Sequence, residues 1–187
     1  MSEIISNYLD LLSENLASLS MEEVQDFVRA VETAYVDGKQ VFVFGNGGSA
    51  ATASHMVCDL QKGIGGESER KFKVLSLNDC VPIMTAWAND TDYANVFAKQ
   101  LETFVRPGDL VIGISASGNS PNVLKAIEVA NDKGAITYGV TGFQGGKLAS
   151  LAKKSLIVRC DNMQVIEDIH LVIGHIVYTY LRKVYLR

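Results

Sequence analysis

The sequence predicts an α/β fold: a three-layer sandwich with a five-stranded, mostly parallel sheet, preceded by an N-terminal helical hairpin. Three observations predict it. Short apolar runs rich in β-branched and aromatic residues alternate with stretches of helical periodicity, which implies right-handed βαβ crossovers. The first run, Val41-Phe42-Val43-Phe44, is apolar at every position, as in a strand that is covered on both faces. Two amphipathic stretches precede the first run.

The helical hairpin comes first along the chain. Apolar residues recur at helical spacing over residues 3–19, which predicts the first helix. Ser20 begins the second helix, because residues 20–23 have the capping-box pattern in which Glu23 reaches back to the cap amide. Asp37-Gly38 ends this helix. Each helix carries an apolar stripe, and one small sheet cannot cover both, so we expect self-association.

The core elements follow in order. The predicted strands are residues 40–44, 72–77, 110–114, 136–140 and 156–158. The predicted helices are residues 50–61, 92–105, 121–133, 147–152 and 163–185. Residues 63–71 form a polar, glycine-containing loop that we expect to be exposed. Asn89 and Asp90 lie in another predicted loop, near the second strand. We expect a single domain over residues 1–187, in which residues 1–37 are the helical extension and residues 38–187 are the α/β core.

Composition excludes several classes of protein. With 48% hydrophobic residues and a net charge of −4, the chain is not disordered, and 17 basic against 21 acidic residues leave no basic excess for binding nucleic acid. The start of the chain has no basic signal region, and the apolar run near residues 169–180 is too short to span a membrane. Three cysteines without a CxxC pair indicate reduced thiols, and hence a cytoplasmic protein.

The first polar loop, residues 45–50, follows a predicted strand and opens a helix. Ligands bind at the carboxyl ends of strands in open α/β sheets, and glycines beside a helix N-terminus let an anion approach the backbone. Ser49 can cap the helix or donate to a phosphate oxygen. A dinucleotide fingerprint is disfavoured, because it needs an acidic residue about 20 positions later. Here the second predicted strand ends farther along, near Asn78-Asp79.

The second polar loop, residues 115–121, also follows a strand, and Pro121 suits the first turn of the next helix. It carries three hydroxyls and an amide, which can hold a phosphomonoester by hydrogen bonds while the helix dipole supplies positive potential. Two such loops at one sheet edge favour a phosphate site over two ordinary turns.

Histidines and carboxylates supply the candidate chemistry. His55 and Asp59 are four residues apart on one helical face, which suits a metal site or a proton-transfer pair. Glu167 and His175 share a side of the last helix more closely than His170 and His175 do. We therefore expect His175 to act with Glu167 and interpret His170 as a core or surface residue outside the site.

At the two loops the chain resembles the sugar isomerase (SIS) domain family of phosphosugar-binding proteins. The matching motifs are Gly45-Asn46-Gly47-Gly48-Ser49 and Ser115-Ala116-Ser117-Gly118-Asn119-Ser120. Asn89-Asp90, Thr141-Gly142, Gly145-Gly146-Lys147 and the Glu-x-x-His-x-x-x-x-His pattern near the C-terminus extend the resemblance toward the phosphoheptose isomerase branch. The resemblance implies a flavodoxin-like sandwich and a homotetramer with active sites at subunit junctions.

The resemblance also implies the residues of the site. Phosphate would be held by Ser115, Ser117 and Ser120, and the residues near the sugar would be Asn46, Gly47, Ser49, Asn89 and Asp90. One zinc ion per subunit would lie among His55, Asp59, Glu167 and His175. The family usually has Glu where Asp59 stands, which shortens the reach of this carboxylate. It usually has Gln where Glu167 stands, so the charge here favours a metal.

The implied activity is the isomerisation of sedoheptulose 7-phosphate to D-glycero-D-manno-heptose 7-phosphate through an enediolate. Such a reaction needs a base for the proton alpha to the carbonyl and an acid for the enediolate oxygens. Our hypothesis makes Asp59 the base and His175 its partner, with Glu167 as the alternative base. Two other functions stay open: a non-catalytic SIS regulator that binds a replication initiator, and an isomerase of another phosphosugar. The His and carboxylate set argues for an enzyme.

Overall fold

The computed structural model of the chain describes residues 1–66 and 68–186, so Glu67, in the predicted 63–71 loop, and Arg187 lie outside the described residues. Its sheet has five strands, all parallel, in the spatial order β2-β1-β3-β4-β5. The strands are β1 Val41–Gly45, β2 Val74–Ser76, β3 Leu110–Ser115, β4 Ile136–Gly142 and β5 Lys154–Val158. This is the flavodoxin-like order, with a switch point between β1 and β3, and it confirms the predicted fold class.

Helices cover both faces of the sheet. They are α1 Ser2–Ala17, α2 Met21–Val36, α3 Gly48–Cys58, α4 Val81–Asp90, α5 Ala98–Phe104, α6 Pro121–Asp132, α7 Gly146–Leu151 and α8 Met163–Tyr185. A π-helical segment, Asp59–Ile64, continues α3, and a 3-10 turn spans Tyr93–Asn95. Within the described residues, no helix is long and apolar enough to cross a membrane.

Two apolar cores explain the layers. Side chains alternate across β1, so Val41 and Val43 pack with α2, α3 and α8, whereas Phe42 and Phe44 pack with α5 and α6. Both β1 and β3 are buried along their whole length, as their continuous apolar sequences predict. The two cores hold the carboxyl ends of β1 and β3 rigidly at one edge of the sheet.

The hairpin forms as predicted, except for one contact. The Ser20 hydroxyl accepts a hydrogen bond from Glu23 N at 3.2 Å, which confirms the cap. The Glu23 carboxylate does not reach back to residue 20. It accepts from Ile157 N at 3.0 Å and from the Arg159 guanidinium at 3.1 Å. Because β5 lies at the sheet edge, its free amide competes for this carboxylate.

Helix α4 was not predicted, and the assignment of Asn89 and Asp90 to a loop is wrong, because both lie in its last turn. The helix has no buried residue, and Val81 is 62% exposed, so no amphipathic period marks it. Residues 92–105 also form no single helix. Asp92 caps the 3-10 turn by accepting from Ala94 N at 2.7 Å, and α5 begins only at Ala98.

The segment from residue 63 was predicted to be exposed, and this is wrong for its first part. Gly63 and Ile64 belong to the π-helical segment and are buried, as is Gly65. Ile64 has no exposed surface, because it packs into the core between the sheet and α8.

Candidate active site

The first and second polar loops are joined by a pair of amides at the carboxyl edge of the sheet. Asn46 Nδ2 donates to Asn122 Oδ1 at 2.9 Å, and Asn122 Nδ2 donates to Asn46 Oδ1 at 2.9 Å. The Tyr93 hydroxyl also donates to Asn46 Oδ1, at 3.2 Å. Asn122 is 2% exposed, so the pair is shielded from water on its α6 side. The start of α3 and the start of α6 are therefore held in one fixed arrangement.

Asn78 holds the first loop from the other side. Its side chain accepts from Gly45 N at 3.2 Å and donates to Gly45 O at 2.8 Å, so both backbone groups of Gly45 are bound. Our reading of the sequence missed Asn78, Asn122 and Tyr93 as site residues. The available signal was weak: Asn78 follows β2, and Asn122 stands in the first turn of α6.

The serines of the second loop surround a small cavity, which we call the serine cavity. Its volume is about 130 Å³, and Asn46, Ser49, Ser115, Ser117, Ser120 and Glu167 line it. The hydroxyls of Ser115 and Ser120 lie 3.0 Å apart. Ser120 is the N-cap residue of α6, but its side chain makes no capping hydrogen bond. A dense set of donors beside a helix N-terminus can bind an anion without a cationic side chain.

The second loop rests on the third strand-end loop, residues 142–146. Gly118 has φ +65°, and a Cβ built on it would lie 2.1 Å from Gly145 O, so only glycine fits. Lys147 N donates to Asn119 Oδ1 at 3.2 Å, while the Lys147 side chain is exposed. The third loop therefore packs against the second loop and supports its conformation.

His55, Asp59 and His175 meet in one cluster, which we call the His–Asp–His cluster. One ligand atom of each residue lies within 4.8 Å of the others. His55 Nε2 is 3.1 Å from His175 Nε2, and Asp59 Oδ2 is 3.5 Å from His55 Nε2 and 3.8 Å from His175 Nε2. The side chains of the two histidines are about half exposed, and that of Asp59 is one-quarter exposed, so a ligand can reach all three.

The His–Asp–His cluster fits a zinc ion. Two imidazole nitrogens and one carboxylate oxygen, with a fourth position left open, are the donors of many catalytic zinc sites. Zinc–ligand bonds of 2.0–2.2 Å place the donors of a tetrahedral ion roughly 3.3–3.6 Å apart. The observed separations of 3.1, 3.5 and 3.8 Å lie around that range.

The structure does not bring Glu167 into this cluster. Its carboxylate lies in the wall of the serine cavity, against Gly48, where an added Cβ would be 2.5 Å from Glu167 Oε2. Eight residues of helix separate Glu167 from His175, a rise of about 12 Å. Sharing a side of α8 therefore does not bring the two side chains together.

Asn89 and Asp90 lie away from the serine cavity, at the end of α4. Asn89 Nδ2 donates to Asp90 Oδ1 at 2.8 Å, and both side chains are exposed. A neighbouring cavity of about 270 Å³ lies between the first loop and α4. Gly47 lines it, together with Ala88 and Tyr93, but Asn89 and Asp90 do not.

His170 lies in the core, which decides between the core and surface positions that the sequence left open for it. It is 3% exposed, and its Nε2 lies 2.9 Å from Thr141 O at the end of β4. Burial lowers the pKa of His170 to about 4, so the ring is neutral near pH 7 and donates from Nε2. Its Nδ1 has no hydrogen-bond partner among the residues that the structure describes.

A family model, curated relatives and a solved structure all match this chain over most of its length. The family model of the SIS domain matches residues 6–142. A probable phosphoheptose isomerase of Thermoplasma volcanium is 33% identical over 97% of this chain and 92% of its own length. A phosphoheptose isomerase of Paramagnetospirillum magneticum is 41% identical over 82% of this chain and 80% of its own. The solved structure of a phosphoheptose isomerase from Francisella tularensis superposes with a TM-score of 0.88 at 25% identity and covers 97% of both chains.

Proposed function

The chain belongs to the SIS domain family and, within it, to the phosphoheptose isomerases, and from that membership we propose that it interconverts sedoheptulose 7-phosphate and D-glycero-D-manno-heptose 7-phosphate. It is an aldose–ketose isomerase of a phosphosugar. The observation that carries the proposal is the His–Asp–His cluster, because it adds proton-transfer groups to a chain that also has a phosphate-sized cavity. A non-catalytic regulator would have no use for this cluster.

The serine cavity holds the phosphate in this proposal. Ser115, Ser117 and Ser120 donate hydroxyl hydrogen bonds, and the N-terminus of α6 adds positive potential. Glu167 stands in the same wall. In this proposal its carboxylate accepts a hydrogen bond from a sugar hydroxyl, because it would repel the phosphate oxygens.

The spacing of the two sites favours a long sugar. Ser49 and Glu167 mark the serine cavity, while His55 and His175 lie six and eight residues farther along α3 and α8. Those spacings correspond to rises of about 9 and 12 Å. An open seven-carbon chain with its phosphate on the last carbon suits this separation. Five- and six-carbon phosphates bring the reacting carbonyl closer to the phosphate.

The His–Asp–His cluster carries the proton transfer. Asp59 removes the proton from C1, alpha to the C2 carbonyl, and delivers a proton to C2, while His175 passes a proton between the two oxygens of the enediolate. Histidine suits this role because its ordinary pKa is near 6.5. A zinc ion held by His55, Asp59 and His175 would polarise the substrate carbonyl as a Lewis acid, and it would then take over the stabilisation of the enediolate oxygens from the His175 nitrogen that binds it. The second oxygen of Asp59 stays available for the substrate proton.

Isotope exchange tests the proposal. The full chain is incubated with sedoheptulose 7-phosphate in deuterium oxide, with and without zinc, and deuterium at C1 or C2 is followed with the aldo-heptose product. We expect Asp59→Asn and His175→Ala to lower kcat by about 10²–10⁴-fold. Asp161→Asn, an exposed carboxylate-to-amide change, is the matched control. Wild-type kcat in both cluster variants, or no exchange in the unaltered protein, would contradict the proposal.

We also propose a homotetramer with active sites at subunit junctions, in the cytoplasm. Helix α4 has no buried residue, and α1 exposes Ile4 by 75% and Leu9 by 58%, so apolar surface is available for partner chains. The three cysteines are free thiols, which suits a reducing compartment.

A further inference from the structure

A separate cavity of about 410 Å³ lies at the edge of the sheet opposite the serine cavity, and we call it the amino-edge cavity. Its walls come from the first residues of β1 and β2 and those that precede them, and from the end of α5 and the segment that leads to β3. The residues that matter for its chemistry are Lys39, Phe42, Lys73, Leu75, Phe104 and Arg106. Because strands separate the two edges, this cavity is not part of the site described above.

The amino-edge cavity is cationic in a chain whose net charge is −4. Lys39, Lys73 and Arg106 line it, and no carboxylate of residues 1–66 or 68–186 lies within 4.0 Å of their charged nitrogens. Lys73 Nζ donates to Gly38 O at 3.1 Å, and Arg106 Nη1 donates to Thr103 O at 3.1 Å. Carbonyl partners orient these groups without neutralising them, so the positive potential remains available to an anion.

Asp109 is the acidic residue of the lining, and backbone N–H groups donate to both of its carboxylate oxygens. Its Oδ1 accepts from Gln40 N at 3.0 Å, its Oδ2 accepts from Arg106 N at 2.8 Å, and the residue is 5% exposed. The carboxylate therefore ties the two segments that carry Lys39 and Arg106. Neither of its oxygens forms an ion pair with the side chains of Lys39, Lys73 or Arg106.

One wall of the amino-edge cavity is apolar and open. Phe104 is 52% exposed and Leu75 is 41% exposed, while Phe42 is buried behind them. Leu75 lies on the edge strand β2, on the face that it shares with Phe42. An exposed aromatic ring beside cationic side chains is the combination that holds a base and its phosphate together.

We propose that the amino-edge cavity binds a nucleotide-class ligand, an organic phosphate that carries a planar aromatic ring. The ring packs on Phe104 and Leu75, and the phosphates lie against Lys39, Lys73 and Arg106. A volume of about 410 Å³ falls within the range of small-ligand sites. This binding is independent of the proposed isomerase reaction, because it uses none of the same residues.

Calorimetric titration of the full chain with ADP, pyrophosphate and adenosine tests the proposal. We expect ADP to bind at least about tenfold more tightly than pyrophosphate or adenosine does. We also expect the affinity for ADP to fall as the salt concentration is raised. We expect Lys39→Gln and Arg106→Gln each to lower the affinity for ADP by about tenfold or more, because each removes a charged hydrogen-bond donor. Lys125→Gln alters an exposed lysine on α6 and is the matched control, so it leaves the affinity for ADP unchanged.

Two further variants separate the alternatives. If the aromatic ring of ADP packs on Phe104, Phe104→Ala lowers the affinity for ADP but not the affinity for pyrophosphate. The double variant Ser115→Ala/Ser120→Ala keeps ADP binding, because it alters only the serine cavity. Loss of ADP binding in that double variant would overturn the proposal. So would equal affinity for ADP and pyrophosphate, or no heat at millimolar ADP from protein whose thermal unfolding is normal.

Discussion

At the scale of single residues, Glu167 has two possible roles that kinetics can separate. If it only lines the serine cavity, Glu167→Gln removes a charge that repels phosphate, and we expect KM for sedoheptulose 7-phosphate to fall several-fold with little change in kcat. A fall in kcat of about 100-fold or more would instead make Glu167 the base and would displace Asp59 from that role. Steady-state kinetics beside the Asp161→Asn control distinguishes the two.

His170 makes stability depend on pH. Burial lowers its pKa to about 4 in the folded chain, against about 6.5 when unfolded, so the unfolded state binds more protons between those values. The stability contribution of the neutral ring is complete above pH 6.5 and is lost as pH falls toward 4, by up to about 3 kcal/mol.

Replacing His170 with a residue that does not titrate tests this dependence. We expect His170→Gln to be less stable at pH 7 but to show a flatter decline between pH 6.5 and pH 4, measured by urea unfolding. Equal m-values for the two proteins serve as the control. A decline as steep as that of the unaltered chain would mean that other groups cause it.

At the scale of elements, Gly118 joins the second and third loops. Gly118→Ala forces a side chain into φ +65° and into contact with Gly145 O, so we expect a loss above about 1–2 kcal/mol and weaker phosphate binding. Gly38→Ala is the matched control, because Gly38 has φ +64° but no atom within 4 Å of an added Cβ. Calorimetric melting of both variants separates contact from backbone strain, and equal losses would contradict the packing role.

The sequence could predict the elements whose residues are buried, because hydrophobic periodicity reports burial. Strands β1 and β3 are buried at every position and were predicted, whereas α4 buries no residue and was missed. Helix α1 also buries no residue fully, but apolar residues at helical spacing, partly buried against the core, allowed its prediction. Glu23 shows a second limit. Its local pattern correctly predicts the cap at Ser20, but the open amide of β5, at Ile157, belongs to a distant segment.

The same distinction applies to the candidate site. His55 and Asp59 are four residues apart on one helix, so their proximity was a local property. Glu167 could not be placed in this way, because helical spacing predicts direction but not which cavity a side chain lines. The pairing of Asn46 with Asn122 joins residues 76 apart, and no local pattern indicates it.

At the scale of the whole molecule, the apolar surface of α1 predicts assembly. Leu9 is 58% exposed and Ile4 is 75% exposed on a helix with no buried residue. We expect light scattering to give the mass of four 20.3 kDa chains, and Leu9→Glu to give smaller species, because it places a charge in an apolar interface.

Ser13→Glu is the control for that experiment, since it adds the same charge at an exposed polar position of α1. We expect this variant to keep the tetramer. A monomeric unaltered protein, or an intact tetramer in Leu9→Glu, would show that α1 does not form the interface.

The amide pair between Asn46 and Asn122 also bears on chemical ageing. Asparagine before glycine deamidates readily in flexible chains, because the next backbone nitrogen can attack the side-chain carbonyl, and Gly47 follows Asn46. Here that reaction must first break the bonds to Asn122 and Tyr93. An aspartate at position 46 would lose the donor to Asn122 Oδ1 and place a carboxylate oxygen opposite it, which weakens the contact between the two loops. We therefore expect the contacts that join the loops to slow the deamidation of Asn46 in the folded protein.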